Sequence, residues 1–126
     1  MNTYKHVRPE HLNHNGYLFG GFMLLWIDEV GWMTASLDYP GCKLVTVAMD
    51  SIVFKHQVLN GSILRFESVA VKIGRSSVTY KVVVFADEPG GVSEKIVFST
   101  NITFCRINAD GKAVALPKSD KLRSQE

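Results

Sequence analysis

Two acids, Asp28 and Glu29, interrupt a stretch that is otherwise apolar, residues 20–37 (GGFMLLWIDEVGWMTASL). Apolar side chains from Phe22 to Ala35 cover nearly the whole circumference of a helical wheel, so the helix is expected to be enclosed. In helical geometry Asp28 has Leu24 and Leu25 one turn before it, and Gly31 and Trp32 one turn after. That is an apolar setting with one gap, at Gly31. An unpaired carboxylate there has its pKa raised by desolvation, which suits a general base near neutral pH. A carboxylate satisfied by the backbone, or by a structural Arg or Lys, fits the same residues. Glu29 lies about 100° further round, so the two acids do not face one spot, and Glu29 reads as structural or rim-facing.

Other residues with chemical potential flank this stretch. Asn13 lies in residues 9–19 (PEHLNHNGYLF), a loop by composition, and by itself reads as a turn or cap residue. Gly20 and Gly21 open the helix, where free N–H groups and the helix dipole favour an oxygen gaining negative charge. A carbonyl set against the Gly21 N–H would have its developing oxyanion stabilised. A tight helix entry with close packing explains the same pair. Gly74, Arg75, Ser76 and Ser77 offer a turn, two hydroxyls and a guanidinium for an anion, or a β-bulge or hairpin with an exposed Arg. His6, His11 and His14 match no zinc spacing, so no metal is expected.

The elements that must position these groups follow from pattern. The helix is long enough for a bilayer, but its central acids and unflanked ends make it a core helix, with no membrane partner. After the breaker Tyr39-Pro40-Gly41, residues 43–54 are rich in β-branched side chains. Asn60-Gly61 is a turn signal, residues 63–73 alternate, and 77–86 and 95–108 continue as strands around turns at 87–91 and 110–111. A short strand is possible at 3–7. One all-round apolar helix with long antiparallel strands gives an α+β architecture, and a sheet curled around one central helix is the hot-dog fold. Residues 1–117 read as one domain, and 118–126 (KSDKLRSQE) as a polar, frayed tail. Net charge is only +2, too little for a general nucleic-acid binder. Cys42 and Cys105 read as reduced core residues, and MNTYKHVRPE lacks the apolar segment of an export signal, so a cytoplasmic location is expected.

The runs NHNGYLFGGFMLLWIDEVGWMTA, VTVAMDSIVF, VKIGRSSVTYKV and FSTNITFCRINADGKAVALP, in that order, resemble the hot-dog acyl-CoA thioesterases of the short- and medium-chain type, over residues 9–117. The resemblance implies hydrolysis of acyl-CoA to free acid and CoA without a cofactor. It makes Asp28 catalytic, as general base for water or as nucleophile forming a mixed anhydride. It has Asn13 orient the water or thioester, and brings Gly74, Arg75, Ser76 and Ser77 near the pantetheine and phosphates. Gly20 and Gly21 then hold the thioester carbonyl, with Lys55, His56 and Lys112 as basic candidates for the nucleotide. Asp28 lies eight residues, about 12 Å along the axis, beyond Gly20. A two-fold pairing would bring Asn13 and Gly20–Gly21 of one chain to Asp28 of another, with 45–54 as candidate edge strand, although the 13–19 loop could fold back within one chain. Similar proteins are often hexamers, so a homo-oligomer is expected, at least a dimer and further a trimer of dimers. Two rivals remain: an acyl-thioester dehydratase, which would want a His before the helix but whose H-F-P motif is missing, and a non-catalytic acyl-CoA sensor.

Overall fold

A computed structural model describes residues 1–118. The tail read from residue 118 onward thus lies, beyond Lys118, outside the described residues. The chain forms β1 (Asn2–His6), a short 3-10 turn (Pro9–His11), α1 (Gly20–Asp38), β2 (Leu44–Phe54), β3 (Ile63–Ile73), β4 (Ser77–Asp87) and β5 (Lys95–Arg106). The strands make one antiparallel sheet in the order β1-β3-β4-β5-β2. The alternation in the sequence sets its inner face. Leu64, Phe66 and Ser68 of β3, Val78, Tyr80, Val82 and Val84 of β4, and Phe98, Ile102 and Phe104 of β5 are all buried. Each large apolar side chain among them contributes about 1.5–3 kcal/mol. Chain reversals fall where glycine supplies positive φ, as at Gly61 after Asn60 and Gly111 after Asp110.

Helix α1 lies across this face and buries Met23, Trp26, Ile27, Val30, Gly31, Thr34 and Ala35. The helix comes close to β5 at Gly31, where an added Cβ would stand 3.0 Å from the Phe104 ring and 3.1 Å from Ile102 Cγ2. The gap expected beside Asp28 is therefore filled by β5. The expectation of complete enclosure is corrected too. Leu25, Asp28, Glu29, Trp32 and Leu37 form an exposed stripe, with Leu25 at 56% and Trp32 at 49% of full exposure. A five-stranded sheet curls far enough to cover one side of a helix only, so the second apolar side stays open in the protomer.

The two edges of the sheet differ. β1 is short and alternates in exposure, whereas β2 is eleven residues long and leaves Val47, Ile52, Val53 and Phe54 exposed. Its ladder with β5 shifts register between Thr46 and Ala48 and again between Asp50 and Val53, where Ser51 adopts a positive φ of 52°. Such bulges twist an edge and limit indiscriminate strand addition.

At the far end of α1 the buried carboxylate of Asp38 accepts a hydrogen bond from the Tyr80 hydroxyl at 2.8 Å. Burial, then that bond and the nearby negative charge, push the Tyr80 phenol far above its usual range, and burial raises Tyr39 as well. A folded pKa above the unfolded value gives stability that is complete below about pH 10 and is lost as pH rises past it. Alkaline titration should therefore release the Tyr80 tyrosinate signal only together with unfolding, and a Tyr80→Phe variant should lose that step. Gly31→Val should overpack the helix against Phe104 and Ile102 and cost about 2 kcal/mol, read as a lower urea midpoint; an unchanged midpoint would contradict the contact.

Candidate active site

Asp28 follows from where Gly31 packs. With Gly31 against β5, Asp28 lies about 60° round the helix, above the neighbouring edge strand. There the Thr46 hydroxyl of β2 donates to Asp28 Oδ1 at 2.6 Å. Leu25, Asp28, Glu29, Trp32, Leu44, Val45 and Thr46 line a shallow cleft of about 350 Å³. The side chain of Asp28 is exposed, so the desolvated setting expected for it is absent from the protomer. The rival expectation of a structural Arg or Lys partner fails as well: among the described residues, no cation pairs with Asp28. Glu29 turns to the opposite edge of the sheet and pairs with Lys5 of β1 at 2.8 Å. The sequence reading missed Thr46. Its signal is the alternation of β2, which sets Thr46 on the same side as buried Leu44, toward the helix.

Asn13, Gly20, Lys55 and His56 meet at the other end of β2. They form the polar part of a cleft of about 250 Å³ whose apolar part includes Leu18, Met23, Phe54, Val58 and Val97. Asn13 Oδ1 accepts the backbone N–H groups of Asn15 (2.9 Å) and Tyr17 (3.2 Å), so its oxygen is committed to shaping the loop. Its amide nitrogen makes no hydrogen bond among the described residues and keeps two donors. Phe19 stands at the helix cap without a side-chain bond, and its carbonyl takes the N–H groups of Phe22 and Met23. The N–H groups of Gly20 and Gly21 are thus left open, as helix geometry dictates. A Cβ on Gly21 would lie 2.5 Å from the Phe19 ring, whereas one on Gly20 would make ordinary contact with Phe54 at 3.5 Å.

The remaining candidates lie near the Leu44 end of β2. Gly74 and Ser77 close the β3–β4 turn, with Gly74 N–H donating to the Ser77 carbonyl at 2.8 Å. The carbonyls of Ser76 and Arg75 accept the N–H groups of Arg106 and Leu116, both at 2.8 Å, and the Arg75 side chain is exposed. Lys112 sits in the turn built on Asn108, whose Oδ1 accepts the Lys112 N–H at 3.0 Å. This turn adjoins the same end, because Ile107 N–H bonds the Lys43 carbonyl. One protomer therefore separates the candidates into two groups, with Asp28 and Thr46 set apart from Asn13 and Gly20. Among the described residues no three His, Cys, Asp or Glu side chains cluster as metal ligands, and no helix is long and apolar enough to cross a membrane.

The sequence profile of the thioesterase superfamily matches residues 15–93, which include α1, β2 and the Gly74–Ser77 turn. The chain belongs to the thioesterase superfamily. A Haemophilus influenzae protein described as an uncharacterized acyl-CoA thioester hydrolase is 30% identical over 89% of this chain and 74% of its own length. A Buchnera aphidicola relative of the same description is 36% identical over 61% of this chain, which spans just over half (56%) of that protein. Among solved structures, a hexameric hot-dog-fold thioesterase of Campylobacter jejuni is 31% identical with a TM-score of 0.82, covering 97% of this chain and 92% of that one. An acyl-CoA hydrolase of Staphylococcus aureus, solved with butyryl-CoA and CoA, is 25% identical with a TM-score of 0.84, covering 98% and 77%. The sheet and helix of this thioesterase-superfamily chain are the hot-dog fold expected from its pattern.

The two roles of Asn13 separate by substitution. Asn13→Ala removes both loop bonds and should lower stability by about 1–2 kcal/mol. Asn13→Asp keeps the acceptor and should leave the urea midpoint near that of the unsubstituted protein.

Proposed function

We propose that the protein hydrolyses acyl-CoA thioesters to a free acid and CoA, at a site shared between two copies of the chain. Residues 1–117 act as one unit in this reading. The observation that carries it is the position of Asp28: held by Thr46, unpaired with any cation among the described residues, and set between exposed Leu25 and Trp32 beside an uncovered edge strand. The relatives described as acyl-CoA thioester hydrolases and the butyryl-CoA complex supply the substrate class. The hexameric relatives support assembly as a trimer of such pairs.

Geometry supports the sharing. β2 spans Leu44–Phe54, so its midpoint is Met49, within the regular stretch between its two bulges. A two-fold axis there sets Leu44 against Phe54 of the partner subunit. Thr46, and Asp28 with it, then comes beside the partner end where Phe54 packs near Gly20 and Asn13 lines the cleft. The same axis brings the Gly74, Arg75, Ser76, Ser77 and Lys112 end of one chain to the Lys55 and His56 end of the other, so both groups of basic candidates face one nucleotide. The pairing also covers the exposed side of α1.

The chemistry follows from these positions. The acyl tail enters the cleft among Leu18, Met23, Phe54, Val58 and Val97, and the thioester oxygen accepts from the open N–H of Gly21. The Asn13 amide holds a water, and Asp28 of the partner subunit takes its proton as the oxygen attacks the carbonyl carbon. The tetrahedral oxyanion rests on the helix N-terminus and collapses with loss of the CoA thiolate. Alternatively, the Asp28 carboxylate attacks directly and water cleaves the resulting anhydride. Labelled water tests the second route: label in Asp28 after a single turnover requires that an anhydride forms and that water attacks its aspartyl carbonyl.

In a thiol-release assay the unsubstituted protein should turn over acyl-CoA. Asp28→Asn should lower turnover by about 10²-fold or more, and Asn13→Asp should also lower it while keeping the fold. Co-assembly of these two variants should restore turnover, since one site of each mixed pair retains both Asn13 and Asp28. No restoration would assign the site to a single chain. Acyl-CoA binding without release of CoA would make the protein a sensor instead.

A further inference from the structure

His11 closes the 3-10 turn Pro9–His11 and has no part in the reaction above. It nevertheless touches three separate pieces of the site's framework. Its Nδ1 accepts the backbone N–H of Arg8 at 3.0 Å, so the bonded imidazole carries its proton on Nε2. Its ring stands edge-on to Phe22, with centroids 5.1 Å apart at 64°, and to Trp26, 4.9 Å apart at 86°. Its own carbonyl accepts the N–H of Phe19 at 2.9 Å, immediately before the helix. The loop between His11 and Phe19 carries Asn13, and the helix braced by the ring carries Gly20 and Gly21.

We infer that His11 is a positioning residue, a strut that fixes the Asn13 amide relative to the open N–H groups at the start of α1. The inference rests on the proposed role of Asn13. The side-chain requirements are specific. Phenylalanine would supply the ring without the acceptor for Arg8, and asparagine the acceptor without the ring. Histidine in its neutral form supplies both at once. Within the loop Asn13 N–H bonds the Tyr17 carbonyl at 2.7 Å and Leu12 bridges Leu18. Its second limb is tied to the segment before β3, where Leu18 N–H bonds the Val58 carbonyl at 2.9 Å and Tyr17 bridges Leu59. Its first limb, which carries Asn13, meets α1 through the His11 ring. A displacement there of about 1 Å carries Asn13 away from the reacting carbonyl, and a shift of that size costs up to about 10²-fold in rate.

A double-mutant cycle on the full chain tests this, read by thiol release from a straight-chain acyl-CoA with thermal unfolding of each variant. His11→Leu should lower kcat about tenfold with KM within about twofold. His11→Asn should recover part of that loss, because its Oδ1 stands where Nδ1 stood. On an Asn13→Asp background His11→Leu should cost less than about twofold, since a residue acting through Asn13 loses its effect once the amide is gone. Equal losses on both backgrounds, an undiminished kcat, or a loss in proportion to a fall in Tm would overturn the strut. If His11→Leu fails to fold, His11→Asn and His11→Phe carry the same cycle. Unchanged turnover in Asn13→Asp alone would overturn the reading of Asn13 and the strut with it. Impaired Asn13→Asp beside a normal His11→Leu would overturn the strut alone.

Discussion

The close approach of α1 to β5 at Gly31 determines where every other group on the helix can point. With no Cβ in the way, the helix settles against Phe104 and Ile102. The helical repeat then sends the two central acids to opposite edges of the sheet. Asp28 meets Thr46 on β2, and Glu29 meets Lys5 on β1. Two adjacent carboxylates thus acquire different partners, a neutral hydroxyl and a cation.

The exposed side of α1 and the exposed edge of β2 are one continuous feature, because Thr46 belongs to β2 and Asp28 to α1. Leu25 and Trp32 flank Asp28 on the helix, Phe54 is exposed at the other end of β2, and Val53 turns to the outer face of the sheet beside Val71 and Lys81. Apolar side chains exposed together beside a carboxylate are what a binding face presents. In the proposed pairing the same contact covers that surface and joins two half-sites, so assembly and construction of the site are a single event.

Much of the fold was legible because local signals and tertiary needs agree. The breaker Tyr39-Pro40-Gly41 stops α1 at Asp38, the Asn60-Gly61 pair turns the chain with Gly61 at positive φ, and the alternation of 63–73 matches β3 at both ends. What sequence pattern does not carry is how far the sheet reaches around the helix. An apolar side covered by β4 and β5 and an apolar side left open have the same composition, so α1 read as enclosed and Asp28 as desolvated. Thr46 was missed for a related reason: its meaning depends on the register that sets it opposite Phe104 and beneath Asp28. The division of the candidate residues between the two ends of β2 likewise needed three dimensions. Asn13 and Gly20 are near each other in sequence and in space, but Gly74–Ser77 reaches its neighbours only through the β3–β4–β5 ladder.

In the proposed reaction the start of α1 sets stability against chemistry. A Ser, Thr or Asp at the cap would bond a first-turn N–H and stabilise the helix by about 1 kcal/mol relative to an apolar residue. Phe19 occupies that position instead, without a side-chain bond, and the first turn contains no acid. The N–H groups of Gly20 and Gly21 stay open, Gly20 lining the cleft, with no carboxylate of their own turn to compete for them. Burial of Met23, Ile27 and Val30 offsets the missing cap, since each is worth more than the cap would be. A helix held so firmly by its core side can leave its terminus unsatisfied, and an unsatisfied terminus is what a developing oxyanion requires.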